Sequence, residues 1–237
     1  MGDQLVALSL GQHTLTLRTS PTVFQPNTTT RFLFEAMGDI TGASVLDLGC
    51  GVAPIGIGAA LSGAESVEAV DVMQEACALA VENAERNGVA SRMLVKQGDV
   101  FSTIRDKRFD VIVCDVSGMA DRVARLSPWY PASIPSGGID GTRPTIAFLH
   151  GVRQHLCPRG RVIFPMLSLA VPGIIEGEAR KLFGDQLVLQ REHWIPFDPV
   201  LRNHLAELRH LRDRGLIDFQ ERRTRQLWML RVYQAQI

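Results

Sequence analysis

The sequence predicts an α/β fold, in which a mostly parallel sheet is covered by helices on both faces. Segments 44–48, 66–70 and 111–114 are short and largely apolar, which is typical of strands buried on both sides. Helical patterns alternate with such strands, and this alternation predicts right-handed crossovers between parallel neighbours. The length of 237 residues fits one domain of this class.

Composition and charge narrow the functional classes. Hydrophobic residues make up 46% of the chain and charged residues 21%, which excludes a disordered or coiled-coil protein. Equal numbers of basic and acidic residues, 25 of each, argue against a dedicated polyanion binder. Residues 201–237 nevertheless hold eight arginines and four acids, so nucleic acid is a disfavoured partner rather than an excluded one.

The cysteines and the apolar runs indicate in which part of the cell the protein is expected. The four cysteines are widely spaced and show no zinc-site spacing, so we expect reduced thiols, no metal site and a cytoplasmic protein. The N-terminus shows no signal-peptide pattern. No apolar run reaches the roughly 18 residues that a membrane span needs, so no membrane partner is expected.

The N-terminal elements are a hairpin and a helix. Residues 4–18 alternate apolar and polar side chains around Gly11, which predicts a short β-hairpin. Asn27 and the three threonines after it are typical of a helix start, and Gly38 of a helix end. A helix is therefore expected over 28–38.

The remaining elements form the core and the C-terminal part. Strands are expected at 44–48, 66–70, 92–97, 111–114 and 161–165, with helices at about 54–62, 73–87 and 143–157. Helical patterns at 173–183 and 199–213, a strand pattern at 186–193 and a closing antiparallel pair at 216–221 and 226–232 follow. We expect about seven strands in a single domain, divided into 1–40 (hairpin and helix), 41–170 (core) and 171–237 (C-terminal strands and amphipathic helix).

The segment from Asp47 to Gly51 carries the strongest functional signal. A strand runs there into a turn whose two glycines, at 49 and 51, allow a tight bend and close approach of a ligand. Asp71 ends the next strand, where an acid can accept both hydroxyls of a ribose, and Asp99 follows the third strand, where it can reach an adenine. Asp47 would repel a pyrophosphate and attract a cation. The combination predicts a ligand with a ribose, an adenine and a positive centre.

These motifs resemble those of the class I S-adenosylmethionine-dependent methyltransferases, over roughly residues 20–170. The resemblance implies a Rossmann-like sheet, S-adenosylmethionine as the cofactor, and a catalytic strand at 110–115. It also implies that Asp47, Gly49 and Gly51 hold the methionine end, Asp71 the ribose and Asp99 the adenine. Further cofactor contacts are expected from Val72, Val100 and Asp115.

A closer resemblance lies upstream, in the segment Val23-Phe24-Gln25-Pro26-Asn27-Thr28-Thr29-Thr30. It is similar to the segment that introduces the release-factor glutamine methyltransferase family (HemK-like, methyltransferase small), and Pro26 and Thr30 fall on that pattern. Thr29 stands where the family has an aspartate. The resemblance implies that Thr30 assists at the methionine end. The sequence Gly-Gly-Ile-Asp-Gly at 137–141 is similar to another region of that family.

The end of the fourth core strand departs from this family. Asp115-Val116-Ser117-Gly118 stands where the family has Asn-Pro-Pro-Tyr. Asp115 can accept a hydrogen bond from the methyl acceptor or take its proton, and Ser117 offers a hydroxyl. The alternative is that Asp115 only shapes the turn. The departure disfavours a glutamine amide or a base amine as the acceptor, and the short stretch before the first core strand predicts no separate recognition domain.

Other side chains are candidates for acceptor contact. About 28 residues without clear periodicity follow Cys114, a length typical of functional loops, and Trp129 and Tyr130 within them could form a wall or lid. The alternative is an insertion that only packs over the sheet. Phe24 and His193 are further acceptor candidates, although His193 could instead close the core. His150 and His155 are better explained as solvated or packed side chains.

Three functions remain open at this stage. The favoured one is methyl transfer to a nitrogen or oxygen of a small-molecule acceptor, with Asp115 and Ser117 as the catalytic residues. The alternatives are a protein or RNA methyltransferase, and a cofactor-binding subunit without activity. A pocket enclosed by aromatic side chains would favour the first, and an open groove lined by the C-terminal arginines the second. The oligomeric state is not predicted.

Overall fold

A mixed sheet of eight strands forms the centre of the fold, and a two-stranded hairpin packs beside it. The computed structural model describes residues 3–237, so Met1 and Gly2, which open the predicted segment 1–40, lie outside the described residues. Within 3–237, no helix is long and apolar enough to cross a membrane. The four cysteines are free thiols.

The elements have the following bounds. The strands are β1 (Gln4–Leu10), β2 (His13–Thr19), β3 (Ser44–Leu48), β4 (Ser66–Asp71), β5 (Met93–Gln97), β6 (Phe109–Cys114), β7 (Leu156–Leu167), β8 (Val188–Pro196), β9 (Gln220–Arg222) and β10 (Arg225–Gln236). The helices are α1 (Thr28–Met37), α2 (Pro54–Leu61), α3 (Gln74–Arg86), α4 (Asp121–Leu126), α5 (Arg143–Val152), α6 (Ile174–Phe183), α7 (Pro199–Asn203) and α8 (Leu205–Asp213).

The central sheet has the strand order β5-β4-β3-β6-β7-β10-β8, and β9 pairs with β10. The strands from β5 to β7 in this order run parallel, whereas β10 runs antiparallel to both β7 and β8. Val45 lies opposite Val67 on one side and Val111 on the other. The predicted α/β sheet with antiparallel C-terminal strands is therefore confirmed, and the carboxyl ends of β3 to β6 share one edge.

Helices cover both faces of this sheet because successive strand residues point to opposite sides. Val45 packs into a core with the hairpin, α1, α2 and α3. Its neighbour Leu46 packs into a second core with α5 and α6, around Phe148 and Phe164. A third core lies among the C-terminal elements and includes Trp228. The apolar character of β3 follows directly from burial on both faces.

Several boundaries differ from the sequence prediction. The long segment after β6 contains a helix, α4, that its irregular pattern did not indicate. The helix expected over 143–157 ends at Val152, and β7 begins at Leu156. The helix expected over 199–213 breaks at His204, where the backbone leaves the helical region (φ −102°, ψ 21°). The apolar spacing continues across that break, so periodicity alone could not reveal it.

Asn83 of α3 connects the hairpin to the central sheet. Its side chain is fully buried, accepts the backbone N–H of Arg18 at 2.7 Å, and donates to the carbonyls of Arg18 at 3.0 Å and Val52 at 3.2 Å. One amide thus satisfies backbone groups of both β2 and the turn before α2. Buried backbone groups that lose such a partner cost free energy.

We expect Asn83→Leu to lower the free energy of unfolding by about 2–4 kcal/mol, because one buried and two partly buried backbone groups lose their partner. The measurement is urea unfolding followed by circular dichroism. Asn87→Ala is the matched control, because Asn87 bonds the hairpin at Thr16 in a more exposed place and its loss should cost about 1 kcal/mol. Equal losses in the two variants would contradict this account.

Candidate active site

A cavity of about 950 Å³ opens at the carboxyl ends of β3, β4, β5 and β6. Parallel strands bring their following loops to one edge, which is where ligands bind in open α/β sheets. The structure gathers nearly all of the predicted site residues on its lining: Phe24, Thr30, Asp47, Gly49, Gly51, Asp71, Val72, Asp99, Val100, Asp115, Ser117, Trp129 and Tyr130.

The turn after β3 has a backbone that only small residues allow. Gly49 has φ +73°, and a Cβ atom on it would lie 2.6 Å from the carbonyl oxygen of Asp115. This contact is too close for any side chain, so glycine lets the turn touch the end of β6. Gly51 has φ +53°, and Ala53 also adopts a left-handed conformation (φ 60°). The turn therefore leaves its backbone open to the cavity.

Asp47 is the most constrained polar residue of the site. It is 1% exposed, and its Oδ2 accepts the backbone N–H of Gly56, in the first turn of α2, at 2.9 Å. Its Oδ1 has no hydrogen-bond partner among the described residues. Burial is the main cause that raises the pKa of Asp47 to about 7; the nearby charges of Asp115 and Asp71 contribute to this rise, and the Gly56 hydrogen bond opposes it. A buried carboxylate oxygen without a partner fits a cationic donor.

Asp71 at the end of β4 is held by the turn it faces. Its Oδ2 accepts the N–H of Gly51 at 2.9 Å, and its Oδ1 accepts the N–H of Met73 at 2.8 Å. Each carboxylate oxygen retains a lone pair for a further donor. Burial raises the pKa of Asp71, against these hydrogen bonds. Val72 beside it exposes 46% of its surface, an apolar area available to a flat ring.

Asp99 and Val100 lie in the turn after β5. The carboxylate of Asp99 is exposed at the cavity, while its backbone N–H donates to Ser102 Oγ at 2.9 Å. Val100 has φ +46°, a conformation that is strained for a β-branched side chain. Such strain is often found at functional sites, where the surrounding structure holds it.

The segment before α1 forms another wall of the cavity. Asn27 caps α1 by accepting the N–H of Thr29 at 2.7 Å, and the hydroxyl of Thr30 accepts the N–H of Asn27 at 3.2 Å. This reciprocal capping box fixes where the chain enters the helix. Thr30 is buried and lines the cavity, and Phe24 stands earlier in the same wall.

Asp115 follows β6 directly, and its backbone N–H donates to the carbonyl of Leu48 at 2.8 Å. The end of β6 is thereby tied to the end of β3. Burial raises the pKa of the Asp115 carboxyl to about 7. A carboxyl group with such a pKa can take up or release a proton at neutral pH.

Ser117 and Tyr130 meet at the far side of the cavity. The hydroxyl of Ser117 is hydrogen-bonded to the phenol of Tyr130, which also donates to the carbonyl of Pro135 at 3.0 Å. The Tyr130 ring is 9% exposed and meets Phe24 edge-on, with 4.7 Å between ring centroids. Three residues that are distant in sequence thus form one wall.

Trp129 lies beside this wall and is 39% exposed. Its indole N–H donates to Asp198 Oδ2 at 3.2 Å, and Asp198 Oδ1 caps α7. Sequence reasoning missed Asp198, Ile195 and Trp228, all of which line the cavity. The Asp198-Pro199 pair is a helix-start signal that marks a rigid turn, but nothing in it indicates proximity to the site.

The histidines of the described residues lie outside the lining of this cavity. His193 is exposed outside this cavity, and its ring packs edge-on against Phe32 at 5.3 Å between centroids. It therefore does not join the acceptor residues that we propose below. His155 is buried and stacks on Phe101, and His150 is 4.0 Å from Glu178 at the surface. In the part of the chain that the structure describes, no group of three or more His, Cys, Asp or Glu could hold a metal.

Comparison with known proteins shows which family model and which relatives this chain is similar to. Residues 14–115 match the family model described as "Methyltransferase small domain". The "Ribosomal protein L11 methyltransferase" of Methylococcus capsulatus is 31% identical over 165 residues, which is 69% of this chain and 47% of that protein. The "Release factor glutamine methyltransferase" of Cereibacter sphaeroides is 33% identical over 169 residues, which is 67% of this chain and 60% of that protein. The chain thus spans less than two thirds of either relative.

Among solved structures, the T. thermophilus 16S rRNA N2 G1207 methyltransferase, described in complex with AdoMet and guanosine, is similar in fold. The TM-score is 0.63 at 17% identity, over 100% of this chain and 51% of that one. This likeness confirms the predicted Rossmann-like methyltransferase sheet.

The expected small-molecule acceptor is contradicted by these findings. The relatives carry the names of a ribosomal protein and a release factor, and the similar structure that of a ribosomal RNA. The sequence departure at 115–118 was therefore misinterpreted as a sign of a small substrate. The resemblance itself is confirmed: residues 14–115 match the model of the methyltransferase small domain, and the chain is similar to proteins named as methyltransferases.

Proposed function

We propose that this protein transfers a methyl group from S-adenosylmethionine to an amino nitrogen of a protein. The observation that carries the proposal is the Oδ1 atom of Asp47, a buried carboxylate oxygen with no hydrogen-bond partner among residues 3–237, in a residue that lines the cavity with Gly49 and Gly51. A cationic amino group supplies the donor that this oxygen lacks. The likeness to a methyltransferase described with AdoMet supports the same cofactor here.

The residues that line the cavity match the methionine end, the ribose and the adenine of S-adenosylmethionine. Asp47 holds the amino group of the methionine end, where Thr30 and the glycine turn leave room for it. Asp71 accepts the ribose hydroxyls with its remaining lone pairs, and Val72 packs on the adenine. Asp99 accepts from the adenine amino group, next to Val100. When bound, S-adenosylmethionine supplies a methyl group on a sulfonium, which is a good leaving group.

Asp115 serves the acceptor. Its carboxylate accepts a hydrogen bond from an N–H group, and its raised pKa lets it take the proton that an amine must lose. A neutral asparagine at this position could accept the hydrogen bond but not the proton. This difference is why we favour an amine over an amide as the methyl acceptor. Ser117 stands two residues further along the same wall.

Protein is favoured over RNA because the cavity lacks a basic lining. Arg143 is the one lysine or arginine on its described lining, and the C-terminal arginines are elsewhere. Arg209 and Arg212 both pair with Glu221. This pairing offsets one of their two charges and so reduces the free basic surface that a phosphate backbone needs. The names of the two sequence relatives support a protein acceptor, and a cytoplasmic location belongs to the same proposal.

We expect the affinity for S-adenosylmethionine to rise about tenfold or more from pH 5.5 to pH 7.5. Below its pKa of about 7, the free Asp47 carboxyl is protonated and must lose a proton before it can pair with a cation. Asp47→Asn removes the charge, so its affinity should be low and nearly independent of pH. Isothermal titration calorimetry at four pH values measures both.

Asp185→Asn is the matched control, since Asp185 is exposed and lies away from the cavity, and it should behave as the unaltered protein. NAD serves as the competing ligand in the same titrations. Binding of NAD without binding of S-adenosylmethionine would refute the cofactor assignment.

We expect methyl-tritiated S-adenosylmethionine to label a protein when the enzyme is incubated with proteins stripped from bacterial ribosomes. The label should survive ribonuclease and be lost on protease treatment, and peptide mass spectrometry should place it on an amino group. Label in the ribosomal RNA, or in low-molecular-weight material alone, would contradict a protein acceptor.

With that acceptor, Asp115→Asn should lower kcat about 100-fold, because the variant retains a hydrogen-bond acceptor and loses the base. At saturating cofactor, kcat of the unaltered enzyme should fall as the pH drops through about 7, since protonated Asp115 cannot take a proton. The variant should show no such fall. An unchanged profile in Asp115→Asn would show that Asp115 only orients the acceptor.

A further inference from the structure

The loop 127–137, which lies between α4 and α5, is fastened to three separate parts of the cavity rim. Ser133 Oγ donates to the carbonyl of Thr22 at 3.0 Å, ahead of α1. The indole of Trp129 donates to Asp198, after β8, and the phenol of Tyr130 bonds Ser117, after β6. These attachments hold the loop across the half of the cavity that the cofactor residues do not occupy.

Tyr130 is the most buried of the three attached side chains. Its ring is 9% exposed, and its phenol lies between the hydroxyl of Ser117 and the carbonyl of Pro135. The edge contact with Phe24 at 4.7 Å joins it to the segment before α1. The ring of Tyr130 therefore packs on one segment of the chain, and its hydroxyl is hydrogen-bonded by others.

Through its bond to Ser117, Tyr130 affects the position of the chain next to Asp115. Ser117 stands two residues after Asp115, on the short stretch that leaves β6. Asp115 is fixed by its own N–H bond to Leu48, but Ser117 has no such strand partner among the described backbone contacts. The loop therefore determines where this stretch lies relative to Asp115.

We propose that Tyr130 is a positioning residue of the acceptor site, an inference that rests on the proposed function. By bonding Ser117 and packing on Phe24, it closes the wall beside Asp115 and holds the acceptor amine there. It acts through these two side chains and has no role in binding the cofactor. A misplacement of about 1 Å in such a wall can reduce the rate strongly.

The test compares Tyr130→Phe, Ser117→Ala and the double variant with the unaltered enzyme. With the ribosomal-protein acceptor, each single variant should lower kcat/KM about tenfold. The double variant should lower it no further than Tyr130→Phe alone, because Tyr130→Phe already removes the Ser117 bond together with the Pro135 bond. The dissociation constant for S-adenosylhomocysteine should stay within twofold. Tyr233→Phe is the matched control, since Tyr233 is buried on β10 against Phe164 and outside the cavity, and its kcat/KM should be unchanged.

Hydrogen exchange provides a readout that does not need an acceptor. Peptides covering 127–137 should exchange at least fivefold faster in Tyr130→Phe and Ser117→Ala than in the unaltered protein, and not in Tyr233→Phe. Unchanged exchange and unchanged kcat/KM would overturn the proposal. So would a parallel loss of S-adenosylhomocysteine affinity and thermal stability, which would indicate a general structural role.

Failure of the proposed function would give a different result. If the unaltered protein binds S-adenosylhomocysteine but labels no ribosomal protein, the acceptor class is wrong, and the exchange rates alone decide whether Tyr130 fastens the loop. If it binds no S-adenosylhomocysteine, the proposed function fails at its first step, whatever the exchange rates show.

Discussion

The buried carboxylate of Asp47 is the constraint on which the rest of the site depends. Asp47 lies near the carboxyl end of β3. Its Oδ2 bonds the first turn of α2, and its Oδ1 has no partner in the described range 3–237. Burial of a half-satisfied carboxylate is costly, and the raised pKa of Asp47 is the expression of that cost. A cationic ligand would relieve the unpaired oxygen and the charge together. The buried carboxylate of Asp47 thus favours a cationic ligand.

The contact between Gly49 and the backbone of Asp115 connects the two halves of the site. Without a Cβ at Gly49, the cofactor turn touches the end of β6, and the N–H of Asp115 bonds the carbonyl of Leu48. The carboxylate that would serve the acceptor is therefore fixed to the turn that would bind the cofactor. The acceptor wall is less local, because Phe24, Ser117 and Tyr130 come from three separate segments.

The clustering of the proposed cofactor residues at one cavity could be predicted from the sequence because its determinants are local. Asp47, Asp71 and Asp99 each follow a buried strand, and parallel strands must bring such ends to one edge. The strained backbone at Val100 and the free oxygen of Asp47 could not be predicted, because both depend on tertiary contacts. The break at His204 was hidden by an apolar spacing that continues across it.

The acceptor half was predicted only in part, for physical reasons. The aromatic residues Trp129 and Tyr130 stood out in an irregular loop, but their partners Asp198 and Ser117 could not be paired with them from spacing. His193 is predicted as an acceptor contact on β8. It lies two residues before Ile195, which lines the cavity, and two residues span roughly 7 Å along a strand. Its ring accordingly packs on Phe32. The departure at 115–118 carried no information about acceptor size, which is why the small-molecule expectation was wrong.

The most direct measurement of the central claim is a crystal structure of the protein with S-adenosylhomocysteine. The account predicts the amino group of that ligand within hydrogen-bond distance of Asp47 Oδ1, with the ribose on Asp71. An amino group bound elsewhere, with Asp47 Oδ1 still unpaired or bonded only to the protein, would contradict it.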